Sequence, residues 1–197
     1  MKTFDLAGKV RQEVGKKATK EVRKSGTVPC VLYGGGENVH FTVTESAIHR
    51  LIYTPHVYMI NLTVGGKSTK AIMKDLQFHP VSDKVLHIDF LEVNEDKPVV
   101  VELPVKLTGL AAGVKAGGKL SLEMRKLRVK GLYKDLPENI TLDVTKLSLG
   151  KSIQVGSISL ENIELMNAKN AVVAQVKLTR AARGAAATAA SEEEKEE

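Results

Sequence analysis

The sequence predicts a mainly β protein: a barrel-like first half with one or two short helices, an all-β second half, and a disordered tail. Three observations predict it. Apolar residues alternate with polar ones at period two in most of the ordered stretches, and glycine or proline punctuates them. Only one short segment carries clear helical spacing. Hydrophobic residues make up 43% of the 197 residues but aromatics only 4%, without tryptophan, so the core must be built from Val, Ile and Leu.

Residues 57 to 76 read as a hairpin. Tyr58, Ile60, Leu62 and Val64 alternate with polar positions, Gly65-Gly66 supplies the positive φ of a tight turn, and KSTKAIMKDL returns. In TESAIHRLIYT, Ile48, Leu51 and Ile52 share a helical face, with Thr44 as N-cap and Pro55 just past the end. One short helix beside strands suggests a barrel with a lid. In VLHIDFLEV, Leu86, Ile88 and Phe90 point to one side, and His87 and Asp89 to the other.

After Glu92 the sequence turns polar, and beyond it strands and glycine-rich turns follow one another, which places a domain boundary near Asn94 to Lys97. Val99 to Leu107 alternates, with Pro104 marking an edge strand or bulge. Leu127 to Gly131, Ile140 to Val144, Ile153 to Val155 and Val172 to Leu178 are further strands, separated by GVKAGG and LPEN turns. This half is a sandwich or barrel with its charge spread evenly. From Thr179 the chain becomes RAARGAAATAASEEEKEE, too poor in large apolar residues to offset its conformational entropy, and disorder is expected over 179–197.

A net charge of +6 and a pI near 9.3 fit an acidic partner, most simply phosphate. The distribution is more informative. Between residues 9 and 24 lie Lys9, Arg11, Lys16, Lys17, Lys20, Arg23 and Lys24, against only Glu13 and Glu21. In VRQEVGKKATKEVRKSG the apolar residues Val10, Val14, Ala18 and Val22 form no continuous stripe, and Gly15 weakens a helix further. A loop carrying charge into the groove of a folded RNA is therefore expected.

Other chemistries find little footing. Cys30 is the only cysteine, which excludes an internal disulfide and a thiolate metal cage, and the thiol reads as a small apolar residue. Tyr33-Gly34-Gly35-Gly36 lacks the GK[ST] ending of a phosphate loop, and His40, His49, His56, His79 and His87 have no metal-ligand spacing. No signal peptide or bilayer-spanning run is evident, so a cytoplasmic location is the default and the Asn61 and Asn139 glycosylation triplets are chance matches. His87 and Asp89 share a strand face as a general-base pair would, but no nucleophile can be set beside them. Binding is the better reading: imidazole stacks on a base, and carboxylate accepts from a base amine or a 2′-hydroxyl.

At these residues a resemblance enters. The run RQEVGKKATKEVRKSGTVPCVLYGGG, followed by KAIMKDLQFHPVSDKVLHIDFLEV, closely resembles the bacterial large-subunit ribosomal protein family that binds 5S ribosomal RNA, in its two-domain general stress protein CTC form. VELPVKLTGLAAGVKAGGKLSLEMRKLRV resembles that family's C-terminal β domain, and together the resemblance covers residues 3 to 178. It implies a six-stranded barrel-like domain over 1–93 that docks on 5S rRNA, and a second β domain over 94–178. Carried over residue by residue, the RNA-contacting set is Arg11, Lys16, Lys20, Arg23, Tyr33, His87 and Asp89. Tyr33 is added by resemblance alone, to stack or to donate to a phosphate, while Lys9, Lys17 and Lys24 come from the basic cluster. Relatives carry a basic residue where this chain has Glu21 and where Phe78 precedes His79, so both stay outside the site.

The function implied is that of a structural constituent of the large ribosomal subunit, contributing to the central protuberance and to translation without turnover. The resemblance implies no cofactor, no metal, no small-molecule substrate and no membrane. For the second domain, neighbouring ribosomal RNA such as 23S rRNA, another ribosomal protein and solvent all stay open, since its unclustered charge gives no preference. A stress regulator acting off the ribosome and a small β-barrel enzyme are the alternatives, the latter without a polar site to support it.

Overall fold

The computed structural model describes residues 1–160 and 162–179, so the tail expected to be disordered lies, beyond Thr179, outside the described residues. Contacts divide the chain into two units, one of Met1–Val101 with Lys130–Glu138 and one of Glu102–Val129 with Asn139 onward.

The first unit contains β1 (Lys2–Val10), α1 (Lys16–Lys24), β2 (Thr27–Tyr33), β3 (Val39–Thr44), α2 (Glu45–Ile52), β4 (Tyr58–Val64), β5 (Lys67–Phe78) and β6 (Val85–Glu92). The six strands close into a barrel in the order β1-β3-β2-β6-β5-β4, and closure leaves no strand edge to pair with another chain. β4 and β5 form the expected hairpin, with Ile60 opposite Ala71 and Val64 opposite Lys67. Gly65 and Gly66 take φ of 58° and 83°, the two positive values that a tight two-residue turn demands.

Inside the barrel lie Leu6, Val28, Cys30, Leu32, Val43, Ile60, Leu62 and Ile88 around Phe41 and Phe90, whose rings are 5.6 Å apart. Aliphatic side chains carry this core, as a chain so poor in aromatics requires. Helix α2 closes one end by burying Ile48 and Leu51, and Ile52 packs against the same core. Thr44 is its N-cap by position and backbone angle, although its side chain makes no cap hydrogen bond.

Two expectations are corrected here. Residues 16–24 are a helix, not a loop. No residue of α1 is buried, so packing does not specify it. Its ends do: Thr19 donates to the Gly15 carbonyl through both its amide (3.0 Å) and its hydroxyl (2.7 Å), and the Ser25 and Thr27 hydroxyls donate to the Val22 carbonyl at 2.7 and 2.9 Å. Gly15 occupies the N-cap with φ of 115°, outside the helix interior where glycine is costly. On β6, Leu86 is only half-buried, and Val85 is the buried residue at that end. The cause is a bulge: Gln77 pairs with His87 while its neighbour Phe78 pairs with Val85, which leaves Leu86 as the extra residue.

The second unit is built on β7 (Val99–Thr108) from Glu102 onward, α3 (Ala112–Lys115), β8 (Lys119–Leu122), β9 (Lys126–Gly131) as far as Val129, β10 (Ile140–Asp143), β11 (Ser152–Gln154), β12 (Glu164–Leu165) and β13 (Val172–Lys177). They form a four-stranded sheet, β10-β7-β9-β12, and a three-stranded one, β11-β13-β8. Ala111, Val144, Leu147 and Val176 pack with Leu107, Leu120 and Ile153 in its core. The expected strands at 127–131, 140–144 and 172–178 are present within a residue or two; Val155 instead begins a 3-10 turn, and part of the GVKAGG turn is the helix α3. β7 is not an edge strand, because β10 and β9 flank it. Pro104 has no N–H to donate, and the parallel ladder with β10 accordingly starts one residue later, at Val105 opposite Ile140.

Candidate nucleic-acid interface

The wall β3-β2-β6-β5 turns its alternate residues outward, and His87 and Asp89 are among them. Strand periodicity puts them on one face, where Nδ1 of His87 and Oδ1 of Asp89 are 2.7 Å apart. The short contact fixes which nitrogen carries the proton. Nδ1 donates to the carboxylate, which leaves Nε2 and the ring face to a ligand, while the second Asp89 oxygen is open to a donor. Both side chains are about a quarter to a third exposed, accessible yet held in place.

Tyr33, at the end of β2, is half-buried beside this pair. Burial first, and then the charges of Asp89 and Asp75, raise its phenol above the ordinary range, so Tyr33 stays a hydroxyl donor. Below it, burial pushes the Cys30 thiol up to about 12, helped by Asp89 and opposed by Arg11. A neutral thiol is neither nucleophile nor ligand, and Cys30 is a core residue.

The two arginines frame the wall. Arg11 follows β1, its amide donating to the His40 carbonyl at 2.9 Å, and its guanidinium reaches the Thr19 hydroxyl of α1 at 3.4 Å. Nε of Arg11 is buried without a protein partner among the described residues. Arg23 crosses from the last turn of α1 to donate from Nε to the Leu86 carbonyl at 3.0 Å. The bulge of β6 exposes that carbonyl, since a bulged residue drops out of the ladder. Together the two arginines tie α1 to the barrel through neutral oxygens, so that neither charge is cancelled.

Lys16, Lys17, Lys20 and Lys24 are exposed on α1, whereas Ala18, Thr19 and Val22 are half-buried. Lys9 is exposed on β1 opposite Thr42, two strands from β2 and so at the margin of the wall. Glu21 is exposed and ion-paired to no described residue; Phe78 is 42% exposed at the end of β5. The structure therefore gathers Arg11, Arg23, Tyr33, His87 and Asp89 about one wall, with the lysines on the helix beside it.

Sequence reasoning missed three polar neighbours. Asp75 and Gln77 of β5 stand opposite Asp89 and His87, and His40 of β3 stands opposite Val31, which in turn pairs with Asp89. Adjacency of this kind is set by strand order and by two bulges, and no local pattern announces it. Among the described residues no cluster of three or more His, Cys, Asp or Glu could hold a metal, and no helix is long and apolar enough to cross a membrane.

Known proteins match the chain over nearly its whole length. Residues 6–90 match the Ribosomal L25p family, and residues 98–180 match the C-terminal domain of ribosomal protein TL5. The large ribosomal subunit protein bL25 of Porphyromonas gingivalis is 61% identical over 188 residues, covering 94% of this chain and 98% of that one. Its counterpart in Bacteroides thetaiotaomicron is 55% identical over 191 residues, covering 94% and 97%, and that in Bacteroides fragilis 60% over 170 residues, covering 86% and 87%. With identity this high across both units, the chain belongs to the ribosomal L25p family.

Proposed function

We propose that the chain is a structural constituent of the large ribosomal subunit that binds 5S rRNA through the outer wall of its barrel and helix α1. Its family is one of ribosome components rather than enzymes, which places it on the ribosome, in a bacterium in the cytoplasm. The binding domain is residues 1–93, with a second β domain at 94–178. In this reading Arg11, Lys16, Lys20 and Arg23 meet phosphates, with Lys9, Lys17 and Lys24 adding to the field. Tyr33 and His87 stack or donate, Asp89 accepts from a base amine or a 2′-hydroxyl, and Gln77 extends the polar row. No step of turnover is involved.

The observation that carries the proposal is the partnering of the two arginines. Arg11 and Arg23 rest on a hydroxyl and a carbonyl and keep their full charge on the same barrel as an ordered His–Asp pair. Cations pre-positioned without a counter-charge suit a polyanion, and an A-form RNA offers phosphates and 2′-hydroxyls at its shallow groove. A titration of the full chain with 5S rRNA at several salt concentrations tests it. If about four to six phosphates are engaged, log affinity falls against log salt with a slope on the order of −3 to −5. A flat dependence, or equal affinity for an unrelated RNA hairpin of the same length, overturns it.

A further inference from the structure

Where the end of α2 meets β1 and β4 lies another group of aromatic and basic side chains. The strand order sets β1 and β4 opposite β2 and β6, and helix α2 packs against β3 and β1. Phe4 of β1 and Tyr58 of β4 meet edge to face at 5.8 Å, His56 approaches Tyr58 at 6.4 Å, and the Thr54 hydroxyl lies 3.3 Å from that of Tyr58. On the last turn of α2 the rings of His49 and Tyr53 lie 4.6 Å apart and tilted by 41°. Of four Tyr and four Phe in the whole chain, three gather at this corner.

Tyr53 is 58% exposed, more than any other aromatic residue described. His49 lies against its ring. Arg50 sits in the same turn, and none of His49, Arg50 and His56 has a carboxylate within ion-pair distance among the described residues. The carboxylate of α2, Glu45, stands at the far end of the helix.

We propose that this corner is a second RNA contact, in which an unpaired base stacks on the exposed ring of Tyr53 and its flanking phosphates meet Arg50, with His49 and His56 in support. Every base has a π-face, so an aromatic platform accepts unpaired nucleotides broadly, and unbalanced cations beside it favour a polyanion over an apolar protein surface. Because the corner is built on the end of α2 and the start of β4, and the His87–Asp89 pair on β6, the unit holds two separate RNA segments. The proposal rests on the ribosomal reading for the class of partner but not for the wall.

The test uses the full chain and a fluorescein-labelled octaadenylate, r(A)8, whose anisotropy is followed with and without saturating 5S rRNA. The expected result is binding that persists in the presence of 5S rRNA, falls about tenfold in Tyr53→Ala, and is retained within twofold in Tyr53→Phe, with 5S affinity unchanged in both. Tyr53→Phe keeps the ring and guards against a mere loss of fold. Complete displacement by 5S rRNA, equal binding by Tyr53→Ala and wild type, or no binding of r(A)8 overturns the proposal. So does capture of a large-subunit protein, in place of r(A)8, by the Tyr53 surface. Failure of the wall would instead appear as intact 5S affinity in an Arg11→Ala, Arg23→Ala variant, whatever r(A)8 does.

Discussion

The two arginines of the proposed RNA wall and two cations of the second unit, Arg128 and Lys177, have different partners. Arg11 and Arg23 donate to a hydroxyl and a carbonyl, whereas Arg128 is bonded to Glu102 at 2.9 Å and Lys177 to Glu123 at 2.7 Å. The same contrast runs within the first unit: away from the wall, Lys134 sits on Glu95 at 2.9 Å, with the Tyr133 hydroxyl on the same carboxylate. Net charge is therefore a poor guide to where a polyanion binds. What matters is which cations the fold leaves uncompensated, and an exposed ion pair of the second kind contributes little in either direction.

The largest effect expected is on the wall. Arg11→Ala with Arg23→Ala removes two charge-assisted contacts of roughly 1.5–3 kcal/mol each, so 5S affinity should fall by about 3 kcal/mol or more, on the order of a hundredfold. The salt slope should become shallower by about two. Arg128→Ala, which removes a cation already balanced by Glu102, should stay within twofold of wild type in the same titration. A loss in Arg128→Ala as large as in the double variant would break the comparison.

Next in size is a contrast between two glycines. A Cβ on Gly113 would meet main chain, 2.6 Å from the Leu149 nitrogen and 2.7 Å from the Ser148 carbonyl carbon, and main chain in a packed core cannot move aside cheaply. A Cβ on Gly35 would meet the Glu92 carboxylate, the free end of a flexible side chain. Gly113→Ala should cost about 2–3 kcal/mol in denaturant unfolding, and Gly35→Ala well under 1. 5S affinity should be unchanged by the first, since Gly113 lies in the second unit; a matching loss of binding would show that the wall depends on that unit's packing.

How far these features could be read from sequence depends on how local each one is. The β4–β5 hairpin was legible because its turn, Gly65-Gly66, and both alternating flanks lie within twenty residues. Helix α1 was not, because apolar periodicity reports burial and α1 buries no residue fully; its determinants are hydroxyls at its ends and two arginines reaching elsewhere. Leu86 was assigned inward because period two is assumed to hold, and the bulge broke the phase at that residue. The basic residues and the His87–Asp89 pair were legible as types at known spacing. Tyr33 needed a resemblance, and Asp75, Gln77 and His40 needed the strand order itself.

The smallest effect lies in the second unit and tests whether its ion pairs are formed at all. Glu123 accepts from Lys177, Gln175 and Ser121, and these contacts, Lys177 foremost, hold its carboxyl near 2 against an ordinary value of 4.5. A carboxylate that is harder to protonate folded than unfolded stabilises the fold above the unfolded value, and loses that contribution as pH falls toward the folded one. The window is therefore about pH 4.5 down to 2. Over it, the unfolding midpoint of wild type should fall more steeply than that of Glu123→Gln, with little difference at pH 7 beyond the loss of the pair. Added salt should narrow the gap, because the pair is solvent-exposed and screened. Parallel acid limbs for the two proteins would mean that Lys177 does not hold Glu123 in solution. In that case Lys177 would join the uncompensated cations, and the distinction between wall and second unit would weaken at that position first.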